Sequence, residues 1–233
     1  MKLRLLFLMS LLAGASVFAQ ETDVLELTAG KDLFGRSNRR NANSGASSSL
    51  VLAPNLSVVS LVAFDLSGVT NEIQSAEFSF RIQETHAVPL SLTVAPMVHN
   101  EQNASWAEGA GDLGVLGRNA RIGEATFQWR AFRDRQWLDA KERPVTNLAD
   151  AGLWKPALAT RSAIPWISGE WVTVSINDAA FLEEIRNHEV PQVTFGLWGT
   201  SGDGIYRVNA KESGLPAKLN LTVKLPPKPA QPE

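Results

Sequence analysis

Three arginines lie close together near the start of the chain, in a polar stretch that also contains several asparagines. They are Arg36, Arg39 and Arg40. A guanidinium group presents paired N–H donors that match a carboxylate, and neighbouring amides suit sugar hydroxyls. The segment therefore predicts a docking loop for an acidic glycan. The alternative is a solvated loop whose arginines meet scattered carboxylates, because surface loops are polar by default.

A second segment brings aromatic and cationic side chains together. It contains Trp129, Arg133, Arg135 and Trp137. Flat indole rings stack on the apolar faces of sugar rings, and nearby arginines supply charge and hydrogen bonds, so we predict that these four residues bind ligand. The alternative is core packing, because large aromatic side chains usually serve burial. Core packing is what we expect of three other tryptophans: Trp106, Trp171 and Trp198.

Calcium is the metal for which the sequence offers a candidate ligand. Asp32 and Asp203, with the loop carbonyls around them, could supply some of the six to eight oxygens that this ion needs. The chain has no alternating run of Asp or Asn with the spacing of a dedicated calcium loop. A structural calcium ion at Asp32 is therefore one hypothesis, and an ordinary turn-forming aspartate is the alternative. We expect no other cofactor.

Sequence patterns typical of catalysis are missing. His86, His99 and His188 are far apart and lack metal-type spacing, and there is neither a Gly-x-Ser-x-Gly elbow nor a phosphate-binding glycine loop. Glu108 and Asp112 could form a carboxylate pair for glycoside cleavage, but their spacing along the chain does not give their separation across a site. We therefore predict that the protein is not an enzyme.

The first residues have the order of a secretory signal peptide. Lys2 and Arg4 precede an apolar run over residues 5–12, and small residues end at Ala19. We expect residues 1–19 to be removed and the mature protein to be secreted or periplasmic. The apolar run is shorter than the roughly 20 residues that span a bilayer, and no later run is long enough, so we do not expect a membrane-embedded protein.

Composition narrows the classes of partner. The chain has 22 Lys and Arg against 24 Asp and Glu, and loss of residues 1–19 leaves a net charge of about −4. This balance gives no reason to expect nucleic-acid binding. The absence of cysteine excludes disulfides, a thiolate nucleophile and cysteine-based zinc or iron–sulfur sites. The hydrophobic core must therefore hold the mature chain together.

Alternation of apolar and polar residues predicts the elements that position these side chains. A period of two, which is typical of half-buried strands, recurs over residues 76–82, 90–94, 172–176, 193–197 and 219–225. Residues 57–66 are apolar on both alternating sets, as expected for a central strand covered on both faces.

Helical patterns are few. Asp178 can cap a short helix through Glu189, whose apolar face includes Phe181 and Ile185, and residues 134–143 are a second candidate. Many short strands and little helix predict an all-β, antiparallel two-sheet sandwich of jelly-roll type with one or two short helices. We expect a single domain over residues 20–225 and a proline-rich disordered tail over residues 226–233.

Several short motifs follow one another in a defined order. They are Asp32, Asn43-Ser44-Gly45, Phe64-Asp65-Leu66-Ser67, Ile73-Gln74-Ser75-Ala76-Glu77, Trp106 with Glu108, Thr126 to Trp129, Trp171 at a strand start, Lys211-Glu212-Ser213, and Pro216 before Leu219-Asn220-Leu221. Their order resembles the DNRLRE-type extracellular domains, a group that overlaps carbohydrate-binding module family 96. Ala63 departs from the arginine that this family usually carries before the Phe-Asp pair.

The resemblance implies a secreted β-sandwich, found alone or attached to polysaccharide-degrading enzymes and surface proteins, with alginate-like acidic glycans as one ligand class. A fold does not by itself define a function, because unrelated functions share the same folds. Together with the arginine and tryptophan segments, the resemblance predicts a secreted, non-catalytic carbohydrate-binding module. The arginines favour an acidic, alginate-like polysaccharide as its ligand. The alternative is an extracellular structural or adhesion domain with a protein partner.

Overall fold

Two antiparallel sheets face each other across a hydrophobic core. The computed structural model describes residues 21–112, 116–186 and 191–226. The predicted signal peptide, residues 227–233 of the predicted tail and the end of the predicted helix beyond Arg186 lie outside these ranges. Within them, the predicted all-β sandwich with short helices is confirmed.

The described residues form mainly β-strands, with two short α-helices between them. In chain order the strands are β1 (Thr22–Thr28), β2 (Lys31–Arg36), β3 (Ala42–Asn43), β4 (Ser49–Leu52), β5 (Val58–Asp65), β6 (Ile73–Arg81), β7 (His86–Pro96), β8 (Arg118–Asn119), β9 (Trp129–Ala131), β10 (Arg135–Gln136), β11 (Ala159–Trp166), β12 (Trp171–Ile176), β13 (Gln192–Ser201), β14 (Tyr206–Asn209) and β15 (Lys218–Lys224). The α-helices are α1 (Glu101–Ala104) and α2 (Ala179–Arg186).

One sheet has the strand order β1-β15-β6-β12, and the other has the order β11-β7-β13-β5-β2. The five strands predicted from alternation fall on β6, β7, β12, β13 and β15, which confirms them. Their inward side chains form the core between the sheets. At its centre, the ring centroids of Phe64 and Phe78 are 6.0 Å apart and those of Phe78 and Phe195 are 5.2 Å apart. Such aromatic contacts add to the stabilisation that burial of the rings provides.

The five-stranded sheet is covered on both faces. Every residue of β5 except Asp65 is buried, which confirms the prediction for residues 57–66. The second cover is the long irregular segment between β7 and β11, whose Phe127 and Trp137 pack with Leu33 and Leu61 in a separate core cluster. The approach is close, because a Cβ atom at Gly35 of β2 would lie 2.8 Å from the Cα atom of Phe127.

The helix prediction at Asp178 is confirmed within the described residues, whereas the one for residues 134–143 is wrong. Asp178 Oδ1 accepts a hydrogen bond from Phe181 N at 2.7 Å, which caps α2. In the other segment, Asp139 Oδ1 accepts from the backbone N–H groups of Lys141 and Arg143. These local bonds stabilise a turn in place of a helix.

One end of the sandwich is shaped by a small β4–β14 ribbon and by the turn between β4 and β5. The turn's central residues, Asn55 and Leu56, have φ values of 62° and 55°. Positive φ at both central positions is the signature of the tight hairpin turns whose twist matches that of the strands. No helix among the described residues is long and apolar enough to cross a membrane.

Candidate functional site

The arginine loop begins where β2 ends. Ser37–Arg39 forms a single 3-10 turn directly after Arg36. Arg36 is the extended residue before the turn, and Arg39 is the last residue of the turn. Burial, followed by the positive charge of Arg39, lowers the pKa of Arg36. The two guanidinium groups are therefore close enough for their charges to repel each other.

Arg40 points elsewhere and connects the two predicted ligand segments. Its Nε atom donates to Ser37 O at 3.2 Å, so this arginine is bonded within its own loop. Its carbonyl accepts from Gln128 N at 3.2 Å, next to Trp129. The loop and the tryptophan segment thus adjoin at their backbones.

A cleft of about 390 Å³ opens beside the arginine turn, at the end of the sandwich that carries the β4–β5 turn. We call it the end cleft. Ala53, Val58 and Ile205 contribute apolar surface. Its principal polar residues are Arg36, Asn38, Asn55, Ser57 and Asp203. Three loops that are distant in sequence therefore present donors and acceptors to one space.

Asp203 is held in the end cleft by its neighbours. The Tyr206 hydroxyl lies 3.2 Å from Asp203 Oδ1 and 3.1 Å from Val88 O, and the Asp203 backbone N–H donates to the same hydroxyl at 3.3 Å. His86 stacks on the Tyr206 ring with centroids 4.2 Å apart. Gly202, with a φ of 141°, leaves room for this packing, because a Cβ atom there would lie 2.8 Å from the Tyr206 hydroxyl. The Asp203 side chain is still about half exposed and can accept hydrogen bonds from a ligand.

The tryptophan segment is only partly a surface. Trp137 has no exposed surface, and its Nε1 atom donates to Thr126 O at 3.1 Å, so the prediction that Trp137 binds ligand is wrong. The physical reason is the second core cluster, which needs a large side chain to fill the space over the five-stranded sheet. Trp129 is half-buried, whereas Arg133 and Arg135 are exposed.

The other tryptophans divide in the same way. Trp106 is buried and Trp198 is partly buried against Trp154, as expected. Trp171 is 41% exposed, so its predicted core position is wrong. Val172, Val174 and Ile176 face the core, and the period of two places Trp171 on the outer face of the sheet. The alternation along β12 thus indicates an exposed position for Trp171, although tryptophan side chains are usually buried.

Asp32 lies in a second polar cluster, away from the polar residues that line the end cleft. We call it the Asp32 network and define it by Asp32, Asn43, Glu108, Lys211 and Glu212. The Asp32 side chain accepts from Lys211 N at 2.7 Å, and Asp32 N donates to Glu108 Oε1 at 2.7 Å. Lys211 Nζ lies 2.8 Å from Glu108 Oε2 and 2.9 Å from Glu212 Oε1.

Asn43 ties the Asp32 network to the backbone around it. Its amide nitrogen donates to Glu108 O at 2.6 Å and to Ala125 O at 2.8 Å. Its amide oxygen accepts from Gly45 N at 3.2 Å and from Gly111 N at 2.7 Å. The amide group is thus bonded on both its atoms within the fold, which favours a structural role.

The electrostatics of the Asp32 network follow from burial. Asp32 is 1% exposed, and burial raises its pKa to about 8 and also raises the pKa of Glu108. Burial by itself lowers the pKa of Lys211, but its hydrogen bonds to Glu108 and Glu212 outweigh that effect and raise it. The sequence suggested Asp32 with Asp203, which instead lines the end cleft, and gave no indication that Glu108 and Glu212 would join Asp32.

One carboxylate oxygen from each of Asp32, Glu108 and Glu212 lies within 4.8 Å of the other two, a spacing that could hold a cation. The Lys211 ammonium already binds two of these carboxylates. Calcium at Asp32 stays a prediction.

In comparisons with known proteins, the chain matches no family model and no curated protein. The resemblance to DNRLRE-type domains therefore stays a prediction, and the function must be inferred from the geometry of the surface.

Proposed function

We propose that this protein is a secreted or periplasmic, non-catalytic carbohydrate-binding module that binds an acidic polysaccharide at the end cleft. The observation that carries the proposal is the position of Arg36 in the lining of the end cleft, with the positive charge of Arg39 close to it. Two neighbouring cations repel each other, and an anion bound between them removes that cost. The pair is therefore suited to a ligand that brings a carboxylate.

Partial burial strengthens this interaction. Arg36 is half-buried, and burial is the main cause of its lowered pKa. Charge-assisted hydrogen bonds are stronger where water is partly excluded. A uronate carboxylate can accept two parallel N–H bonds from one guanidinium group, which fixes the orientation of the sugar.

The remaining wall of the end cleft suits hydroxyl groups. Asn38, Asn55 and Asp203 offer amide and carboxylate groups to a ligand. The volume of the cleft lies within the range of about 300–1,000 Å³ that is typical of small-molecule sites. Because Tyr206 fixes the Asp203 loop, little order has to be imposed on binding. The charges and the shape together favour a sugar acid over a neutral sugar.

The second candidate function is an extracellular structural or adhesion domain with a protein partner. The observation that favours it is β1, an edge strand that exposes Val24 and Leu25 and, among the described strands, pairs with β15 alone. An exposed edge offers unpaired backbone groups to another chain. This surface lacks the concave shape and the paired arginines of the end cleft, so we rank it second.

Affinity electrophoresis of residues 20–233 in gels that contain sodium alginate, polygalacturonate or neutral dextran tests the proposal. We expect retardation by the two acidic polymers and little by dextran, with weaker retardation as salt screens the charges. The double variant Arg36→Ala/Arg39→Ala should bind at least about tenfold more weakly, the loss of about 1.4 kcal/mol expected for a charged contact.

The double variant Arg133→Ala/Arg135→Ala is the matched control, because it removes the same charge from the other predicted segment. It should bind like the unaltered protein, and circular dichroism should show that both variants are folded. A larger loss in the control would move the site to the tryptophan segment. Absence of binding to every glycan would favour the protein-binding alternative.

A further inference from the structure

Trp171 is the most exposed tryptophan of the chain, and it lies on the outer face of the four-stranded sheet. It is the first residue of β12, where exposed and buried residues alternate strictly. All seven tryptophans fall within the described residues, and the other six are buried or half-buried. An indole exposed on a sheet face loses the stabilisation that burial would provide, which makes this position unusual.

The face around Trp171 is flat and polar. Thr173 of β12 lies opposite Ser79 of β6, and Ser79 lies opposite Lys218 of β15. The hydroxyls of Ser79 and Thr173 are 3.0 Å apart. Because the Ser79 side chain is small, the side chains of Trp171 and Lys218 can approach each other above it. The sheet thus provides a floor of hydroxyl groups beside a ring.

One cation contacts the indole, and two more lie on neighbouring strands. Lys218 Nζ lies 5.2 Å from the centroid of the Trp171 ring and 3.0 Å from Glu26 Oε2. Arg81 lies directly opposite Trp171, and its Nε atom donates to Gly169 O at 3.0 Å. A third cation approaches from the neighbouring sheet, where Arg161 Nη1 donates to Thr173 O at 2.6 Å.

Carboxylates accompany these cations. Glu26 is the carboxylate in contact with Lys218, whereas Glu77 lies opposite Ser175, four positions along β12 from the indole. Glu170, the exposed residue directly before Trp171, is a third carboxylate, so three carboxylates accompany the three cations Lys218, Arg81 and Arg161. Lys218 is the cation in contact with the indole, and its ammonium group can bind a carboxylate of a partner whose ring stacks there.

We propose that Trp171 and the surrounding outer face form a second contact surface for the same acidic polysaccharide. A pyranose ring stacks on the indole, and its carboxylate meets the cations around Trp171. This inference rests on the function proposed for the end cleft. It extends that function by requiring a polymer that is long enough to reach both surfaces.

Both surfaces lie toward the same end of the sandwich. β6 ends at Arg81 beside Trp171, and the next residue, Ile82, bridges to Val208 of β14. The loop that precedes β14 carries Asp203 of the end cleft. Two contacts on one polymer raise its overall affinity, because the second contact forms within a complex that already exists.

The experiment compares a long alginate polymer with an alginate trisaccharide. We expect Trp171→Ala to weaken binding of the polymer about tenfold and to leave binding of the trisaccharide unchanged. Trp171→Phe should retain part of the polymer affinity, because a phenyl ring also stacks. Trp129→Ala is the matched control, since it removes a half-buried indole from the other predicted segment.

Acrylamide quenching of tryptophan fluorescence supplies an independent measurement. The polymer should protect the most accessible indole from quenching, and this protection should disappear in Trp171→Ala. If Trp171→Ala binds the polymer as well as the unaltered protein while Arg36→Ala/Arg39→Ala binds it weakly, the second surface is ruled out and the end cleft remains. If the unaltered protein binds no alginate at all, both proposals fail.

Discussion

The Asp32 network and the end cleft are both built from charged and amide side chains, yet they differ in how those groups are satisfied. In the network, Lys211 lies between Glu108 and Glu212, and Asn43 is bonded on both its amide atoms. In the cleft, Arg36 is half-buried with the charge of Arg39 close to it, and the Asp203 side chain is about half exposed. The network bonds its charged groups to one another, whereas the cleft leaves the Asp203 carboxylate accessible to a ligand.

Several residues from the motifs that resemble DNRLRE-type domains lie in the Asp32 network. Asp32, Asn43, Glu108 and Lys211 are far apart in sequence, and they join β2, the covering segment and the turn before β15. Their bonds hold the layers together. Ligand recognition is therefore expected from residues outside these motifs, in the arginine turn and on the outer sheet face.

The largest expected effect is the difference in the free energy of unfolding between variants at Asn43 and Asn38. Asn43→Ala removes four hydrogen bonds at a buried site and leaves backbone groups without partners, so we expect the free energy of unfolding to fall by about 3 kcal/mol or more. Asn38→Ala in the end cleft should change it by less than about 0.5 kcal/mol, as is usual for an exposed site. Urea unfolding measures both, and equal losses would erase the distinction between the two regions.

A smaller effect concerns pH. Burial raises the pKa of Asp32 in the folded protein to about 8 from its ordinary value of 3.8, so between these values the folded protein binds a proton that the unfolded chain releases. The stabilisation is therefore complete below about pH 4 and is lost as the pH rises through about 8. Asp32→Asn cannot titrate. Between pH 5 and pH 8, the unaltered protein should lose more stability than the variant, by over about 1.4 kcal/mol, the equivalent of one pKa unit.

Thermal unfolding across this pH range provides the measurement, and parallel pH profiles for the two proteins would show that the Asp32 network does not bind the proton. The same samples test the calcium prediction. An ion held by Asp32 should raise the unfolding midpoint of the unaltered protein when calcium chloride is added, and it should leave that of Asp32→Asn unchanged.

The smallest expected effect on stability is at the arginine turn. Arg39→Gln removes the repulsion between Arg36 and Arg39, so the free energy of unfolding should stay the same or rise by less than about 0.5 kcal/mol at low salt. High salt should abolish the difference because it screens the repulsion. A clear loss of stability would mean that Arg39 serves the fold, and the contrast with the Asp32 network would be weakened.

Much of the fold could be predicted because alternation is a local signal. Residues 57–66 were apolar on both sets, and β5 is covered on both faces. Residues 134–143 were misassigned because side-chain bonds from Asp139 stabilise a turn there. The sequence predicts Trp137 at a ligand-binding surface and Trp171 in the core, whereas the structure buries Trp137 and exposes Trp171. Residue type alone cannot place an indole, since its position depends on what packs above it.

The sequence by itself determined which residues face which side of each strand, because a period of two follows from the geometry of a single extended chain. It also placed Arg36 and Arg39 near each other, since only two residues separate them in the chain. Only the tertiary structure decided that Asp32, Glu108 and Lys211 meet and that three loops enclose the end cleft. Such contacts join residues whose separation along the chain carries no information about their distance in space.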